Sequence, residues 1–383
     1  MTLSAAPPGQ PVHADWDTSG LHNLDVALVH DYLNQRGGAE RVLLEMSDMW
    51  PSAPVYTSLY RPQSTFPEFS QRDIRTTFLD RLPVDRGFRS LFPLYPPAFA
   101  SLSHIDADVV IASSSGWAHM ARTHPGALHV VYCHTPARWL YRQEHLGAGR
   151  RSVRGSLVAA GGPMLRALDR RAARRASLYL ANSENIRARV RAAYGIDAKV
   201  LYPPVETTRF HPTSRGERLL VVSRLLPYKH VDVAIRVANH MGIGLDVVGD
   251  GPLMADLARL AGPSVTLHGA VEDDVVVELM QSCRAVLALA EEDFGLVPVE
   301  AQAAGKPVIA FAAGGACETI EPGVSGVLVR SRATEELAAA VLACDRLDSS
   351  PVEIARRAER FSVASFRRNL GALLAAHLHP ARA

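Results

Sequence analysis

Lysine is almost missing from this chain. Lys199, Lys229 and Lys306 are the only three in 383 residues, so arginine carries nearly all the positive charge. The formal net charge is only +2, which argues against a bulk nucleic-acid binder, since such domains are strongly basic. Cysteine is sparse too. Cys133, Cys283, Cys317 and Cys344 lie far apart with no C-x-x-C spacing, so they read as small buried residues of a cytosolic protein and not as a disulfide framework or zinc site. No apolar run approaches the ~20 residues that a transmembrane helix needs. Residues 1 to 22 are polar and Pro-rich without the apolar core of a signal peptide, so the expectation is a soluble or peripheral protein. A dinucleotide fingerprint is missing as well. Gly249-Asp250-Gly251-Pro252 is followed by Met254 and by no glycine until Gly262, which removes the best support for a dehydrogenase.

What is present is a repeated alternation of short apolar runs and helical segments, the pattern of parallel sheets covered on both faces. In the first half, strands are expected at residues 25–30, 108–112, 129–133, 178–181 and 199–202. In the second half they are expected at 219–222, 245–248, 265–267, 285–288 and 307–310. Between the halves, a stretch rich in Pro, Thr and Arg reads as a linker. The expected organisation is a disordered tail at 1–22, a first Rossmann-like domain at 23–203 and a linker at 204–217. A second Rossmann-like domain follows at 218–362, with a terminal helix at 363–383 whose Phe366, Leu370, Leu373 and Leu374 fall at helical spacing. Two doubly wound sheets in one chain form a cleft between the carboxyl ends of their strands, where such sheets bind ligands.

The most informative stretch is Glu292-Asp293-Phe294-Gly295-Leu296-Val297-Pro298-Val299-Glu300, which places two glutamates eight positions apart. Phe294-Gly295 suits a turn, and Pro298 suits the first position of a helix. The free amides near Gly295, Leu296 and Val297 would then face whatever lies before the helix, a geometry that attracts phosphate. Glu292 lies beside that anion site, and Glu300 reaches from the helix towards a neighbouring hydroxyl pair. Such an arrangement suits a nucleotide-sugar, with the diphosphate in the middle and carboxylates on the sugar and the ribose.

This segment, with the Ala301-Gln302-Ala303-Ala304-Gly305-Lys306-Pro307 that follows, resembles the E-x7-E motif of retaining family-four glycosyltransferases. The resemblance implies an α/β protein of the GT-B fold, two Rossmann-like domains facing a central cleft. It extends to Ser223-Arg224-Leu225-Leu226-Pro227-Tyr228-Lys229, where it assigns Arg224 and Lys229 to the donor diphosphate. Fixed cations there stabilise the charge of a leaving diphosphate. Gly249 and Gly251 resemble the family's G-x-G-P turn beside the nucleotide. Gly37-Gly38-Ala39-Glu40-Arg41-Val42 resembles its Gly-Gly loop, in which either Gly37 or Gly38 presents an amide to the phosphate or the departing sugar. Cys133-His134-Thr135-Pro136-Ala137-Arg138 resembles a motif of bacterial mannosyltransferases of surface-polysaccharide pathways. There the histidine contacts the 6-hydroxyl of the donor sugar, a role that falls to His134, while Arg138 and Trp139 are candidates to orient the acceptor. Asn182 or Ser183 reads as a helix N-cap and domain-closing contact. Asp106-Ala107-Asp108 satisfies a metal-binding D-x-D pattern but reads as turn residues.

The expected catalytic set is therefore His134, Glu292, Arg224 and Lys229. The expected donor-binding set is Gly37, Gly38, Gly249, Gly251, Phe294, Gly295, Leu296, Val297 and Glu300, with no metal. The expected reaction moves a sugar, mannose from GDP-mannose by the closest resemblance, onto a glycan or polyprenyl-diphosphate-linked acceptor. Three alternatives stay open: a UDP-sugar-dependent transferase with a soluble acceptor, a nucleotide-sugar epimerase or sugar-phosphate synthase on the same fold, and a catalytically silent nucleotide-binding protein of that fold. Arginine interleaved with aromatics at residues 86–99, and an Arg-rich run from Arg150 to Arg175, suit an anionic membrane surface. A solvated helix face and an ordinary core patch would look the same. The expected location is cytoplasmic, with the inner face of the membrane as a peripheral site.

Overall fold

The computed structural model describes residues 24–82, 91, 94–102, 104–141 and 153–378. The expected tail at 1–22, most of the aromatic stretch at 86–93, Arg150 and Arg151 lie outside these residues, as does the side chain of Trp139.

Two parallel sheets follow one another along the chain. The first holds β1 (Val26–His30), β2 (Val55–Thr57), β3 (Ile74–Thr76), β4 (Val109–Ser114), β5 (Leu128–Cys133), β6 (Leu178–Ala181) and β7 (Lys199–Val200). Its order is β3-β2-β1-β4-β5-β6-β7. The second holds β8 (Leu219–Val222), β9 (Leu245–Val248), β10 (Val265–Gly269), β11 (Ala285–Ala288), β12 (Val308–Phe311) and β13 (Gly326–Val329), in the order β10-β9-β8-β11-β12-β13. The central strands are continuous apolar runs because both sheet faces are covered. Every residue of β1 and of β4 is buried, with Ala27 and Val29 in one core cluster and Val26 and Leu28 in the other. Strands β2, β3 and β13 were not expected. They are three or four residues long, lie towards sheet edges and include half-buried or exposed positions, so they lack a strand's apolar signature.

The topology dictates where a ligand can sit. In each sheet the chain runs outward in one direction and then returns to the other side of its first strand, so the order reverses between β1 and β4 and between β8 and β11. Loops leaving the carboxyl ends at such a point diverge and leave a crevice. The Gly37-Gly38 loop follows β1, Arg224 to Lys229 follow β8, and Glu292 to Val297 follow β11.

Two stretches of chain join the halves, and they pair with each other. Val205 N–H donates to Phe361 O at 2.8 Å, and Val363 N–H donates to Val205 O at 3.2 Å. Beyond that crossing, the helix Val363–Leu378 buries Phe366, Leu370 and Leu374 in the core of the first sheet, and Arg367 reaches Glu45 at 2.9 Å. Lys306 is fully buried, its ammonium donating to the carbonyls of Thr213 (3.3 Å) and Ser214. The rarest cation therefore fixes the connecting segment against the second sheet.

The interfacial reading of the aromatic stretch is corrected at Tyr95 and Phe99, which are 4% and 0% exposed in the core beneath the first sheet. Among the described residues, no helix is long and apolar enough to cross a membrane. All four cysteines are free; Cys133, Cys283 and Cys344 are buried and Cys317 is exposed.

Candidate functional site

The stretch after β11 folds as its residue types require. Gly295 has φ +88° and caps the helix Leu296–Ala303, a backbone conformation that L side chains rarely adopt. Pro298 occupies the third helical position and not the first. Its missing N–H still falls within the first turn, where no intrahelical bond is lost. The Phe294 ring is buried against Phe361, with centroids 5.4 Å apart, and beside Tyr202, so this side chain anchors the turn in the core. The close approach of the next loop is possible only because it lacks side chains: a Cβ on Gly314 would lie 2.1 Å from Glu292 O, and one on Gly315 2.1 Å from Phe294 O.

A small cavity, open to solvent, lies at the carboxyl ends of β8 and β11. Ser223, Lys229, Glu292, Gly295 and Val297 line it. The structure thus gathers five sequence-predicted residues, Phe294, Gly295 and Val297 of the glutamate loop and the Lys229–Glu292 pair, around one space. Lys229 Nζ stands 2.5 Å from Glu292 Oε1, with the lysine mostly buried and the glutamate about half exposed. Arg224 is exposed at the rim, where it donates to Tyr228 Oη at 3.2 Å. It does not line the cavity. Gly249 has φ +127°, and a Cβ there would lie 2.0 Å from Ser223 O; at Gly251 a Cβ would lie 2.5 Å from Leu225 O. Both glycines let the turn after β9 lie flat against the turn after β8. Gly249 N–H donates to Gly269 O at 2.8 Å, which ties in the end of β10.

Glu300 sits one turn into the helix and keeps some contact with solvent, yet enough protein surrounds its carboxyl that burial pushes its pKa up. Arg41 and Arg209 pull in the opposite direction without cancelling that effect. Glu300 lies outside the cavity lining, on the side where Arg41 and Arg209 gather around Asp273 at 3.8 and 3.3 Å.

The first sheet brings its own loops to the same cleft. A Cβ on Gly38 would lie 3.2 Å from Leu296 Cδ1, so the Gly-Gly loop packs directly on the helix start of the other half. Gly37 caps the helix Gly38–Met49, and a Cβ there would meet Glu40 Oε2 at 2.6 Å. Glu40 is 1% exposed and accepts from Gln35 Nε2 at 2.9 Å. His134, at the end of β5, is buried, and burial with the nearby His30 holds its pKa at about 3, so the ring is neutral. Its Nε2 contacts Ser113 Oγ at 2.8 Å, which in turn lies 3.1 Å from His30 Nδ1. This His30–Ser113–His134 chain was not legible in sequence, because its members come from β1, β4 and the residue after β5, which only the sheet brings together. Ser183 caps the helix Glu184–Tyr194 through Ile186 N–H at 3.1 Å, and its hydroxyl also donates to Asp293 O at 2.7 Å across the cleft. Asp108 serves the turn before β4 by accepting from Asp25 N–H at 3.0 Å. Among the described residues, no group of three or more His, Cys, Asp or Glu side chains is placed to hold a metal ion.

Lys229, an open helix start and Glu292 on the second sheet, with the Gly-Gly loop of the first half packed on that helix start, form a site that can grip an anionic ligand at its centre and hydroxyls at its ends. Comparison with known proteins agrees with that chemistry. Residues 36–209 match the pattern of Glycosyltransferase Family 4, and residues 207–360 match Glycosyl transferases group 1. The chain belongs to glycosyltransferase family four. A GDP-mannose-dependent alpha-(1-6)-phosphatidylinositol monomannoside mannosyltransferase of Mycobacterium tuberculosis is 32% identical over 212 residues, 47% of this chain and 55% of that protein. A D-inositol 3-phosphate glycosyltransferase of Rhodococcus erythropolis is 31% identical over 228 residues, 48% of this chain and 50% of that protein. The chain thus spans about half the length of these curated relatives. Among solved structures, Anabaena HepE in complex with UDP and glucose superposes with a TM-score of 0.69 at 22% identity, covering 92% of this chain and all of that one. Sucrose-phosphate synthase from Thermosynechococcus elongatus superposes at 0.67 and 16% identity over 93% and 99% of the two chains. The fold of this chain is GT-B.

Proposed function

We propose that this glycosyltransferase transfers mannose from GDP-mannose, with retention and without a metal, to a hydroxyl of a lipid-linked saccharide. The observation that carries the reading is the Lys229–Glu292 pair beside the Gly295 helix start in one cavity. A diphosphate placed there meets a cation and the positive end of a helix, and a sugar attached to it meets a carboxylate. The mannosyl assignment rests on the His134 motif and on the GDP-mannose-dependent relative. The lipid-linked acceptor draws on the phosphatidylinositol mannoside named for that relative. In this reading an anionic membrane surface meets the described part of the Arg-rich run. Arg171 and Arg174 are exposed beside Met164 and Leu168, whereas Arg170 and Arg175 donate to the carbonyls of Ala193 (2.8 Å) and Met120 (3.2 Å).

In this reading the acceptor oxygen attacks the anomeric carbon on the face from which GDP departs. The acceptor proton passes to the leaving phosphate oxygen, so no protein base is needed. Lys229, Arg224 and the amides at Gly295 to Val297 stabilise the charge of the departing diphosphate more than that of the intact donor. Glu292 holds sugar hydroxyls and Glu300 the ribose. His134 stays neutral; with Nε2 engaged by Ser113, contact with the sugar falls to Nδ1. Gly37 and Gly38 admit the phosphate or sugar close to the backbone, while Gly249 and Gly251 shape the nucleotide turn.

The test is an incubation with GDP-mannose and with UDP-glucose, each with EDTA, offered phosphatidylinositol mannoside, polyprenyl-diphosphate-linked saccharide or no acceptor. Mannosyl product of α configuration from GDP-mannose in EDTA is the expected result. Product from UDP-glucose alone would discard the mannosyl donor, and an absolute metal requirement would discard the metal-free mechanism.

A further inference from the structure

Asp293 lies between the sugar-binding Glu292 and the anchoring Phe294, yet its side chain turns away from the cavity towards the other half of the molecule. Only 12% exposed, its carboxylate receives Arg189 Nη1 at 2.5 Å and the guanidinium of Arg138. Its backbone carbonyl accepts from Ser183 Oγ at 2.7 Å and Asn185 Nδ2 at 3.4 Å. Arg189 also reaches Glu291 Oε1 at 2.9 Å. All four donors belong to the first sheet's half, and all converge on a three-residue stretch of the second. A companion contact lies nearby: the carboxylate of Glu318 accepts from the N–H groups of Glu184 and Asn185 at 2.7 and 2.8 Å, at the start of the helix that Ser183 caps.

These contacts can exist only with the cleft closed. Once the halves separate, Asp293 and both arginines return to water, and the loop carrying Glu292 loses its grip on one side. Lys229 holds the same loop from the other side, through Glu292. Arg138 lies four residues after His134, so the latch also ties the end of β5 to the Glu292 loop. We propose that Asp293, clasped by Arg138 and Arg189, is the positioning residue that fixes the closed cleft and sets Glu292 opposite His134. The positioning half of this inference rests on the functional reading above; the closure half does not.

The test compares wild type with Asp293→Asn and Arg189→Gln by small-angle X-ray scattering at low and high salt. Glu321→Gln, which removes a partner of Arg357 within the second half, is the control for charge loss alone. Asp293→Asn keeps the carbonyl contacts and the side-chain shape. Its closed-to-open ratio should fall about tenfold, a coupling of ordinary size. The radius of gyration should rise in both latch variants, not in the control, and wild type should move the same way as salt screens the pairs. In steady-state transfer, kcat should fall about tenfold while calorimetric affinity for the nucleoside diphosphate stays within about twofold. Scattering curves of folded Asp293→Asn and Arg189→Gln that superpose on wild type at both salts would overturn the latch. A fall in nucleotide affinity with kcat unchanged would overturn the positioning role. Failure of the functional reading is separately visible as wild-type inactivity towards every nucleotide-sugar, and the scattering still decides the latch.

Discussion

Lys229 Nζ and Glu292 Oε1, 2.5 Å apart, join the loop after β8 to the loop after β11. An arriving diphosphate competes with Glu292 for that ammonium, so donor binding should free the carboxylate to turn to the sugar. Lys229→Met should lower kcat/KM by about a hundredfold, the usual cost of losing one preorganised group on developing charge. Because Glu292 is 41% exposed, losing its partner should cost under about 1 kcal/mol of stability. Steady-state kinetics with a urea melt on the same variant separates the two effects.

Glu300 gives the opposite separation. Burial raises its pKa, so the ionised carboxyl costs the fold something, and Glu300→Gln should leave the melting temperature unchanged or raise it. The same variant should weaken nucleoside diphosphate binding about tenfold, through loss of a charged acceptor for the ribose hydroxyls. Titration calorimetry and a thermal melt check both. An unchanged affinity would move the ribose away from Glu300.

The glycine-marked turns were legible because each sits where a strand must end. Glycine at 37, 38, 249, 251 and 295 and charge at 224, 229 and 292 mark loops at carboxyl ends, Pro298 and Glu300 fall in the helix that follows the last of them, and the sheet order brings those ends together. Pairings between distant residues were not legible. Arg189 and Asp293 are 104 positions apart, and nothing local distinguishes Arg189 from the other arginines of its helix. Tyr95 and Phe99 misled for a related reason: aromatic residues among arginines suit a membrane interface or a core equally, and only the packing decides.

The turn after β9 tests how much of the site depends on glycine. Gly249→Ala places a Cβ 2.0 Å from Ser223 O, a backbone atom, at φ +127°. The clash and the strained backbone should destabilise the second half by about 3 kcal/mol. Gly242→Ala, at φ +65° but with nothing within 4 Å, should cost only about 1 kcal/mol. Paired denaturant melts measure the difference, and equal losses would mean that strain alone, and not close approach, makes Gly249 necessary.

Acid should destabilise the first half early. His134 and His129 are held neutral by burial, with pKa values of about 3 and about 4, below the ordinary value of 6.5. Between pH 6.5 and about 4 the unfolded chain binds both protons and the folded chain neither, so stability falls as pH falls. Each group contributes a slope of about 1.4 kcal/mol per pH unit in that window. His129→Gln should remove one such slope while leaving the cleft intact, as measured by urea melts from pH 7 to pH 4.

The terminal helix makes the last prediction, because its place in the chain and its place in the fold differ. Phe366, Leu370 and Leu374 are 2%, 0% and 0% exposed, and they pack on Val26, Leu28 and Tyr132 of the first sheet. Leu370→Ala should therefore cost about 2–5 kcal/mol, through the lost transfer energy and the cavity left behind. The loss should appear in the first half, although residue 370 follows the whole second sheet. A single melting curve averages over two halves and cannot locate the damage. Amide hydrogen exchange can: β1 and β4 should lose protection while β8, β9 and β11 keep theirs. Uniform loss across both sheets would mean that the halves unfold as one unit, and that the paired crossing at Val205 and Ser362 transmits the defect.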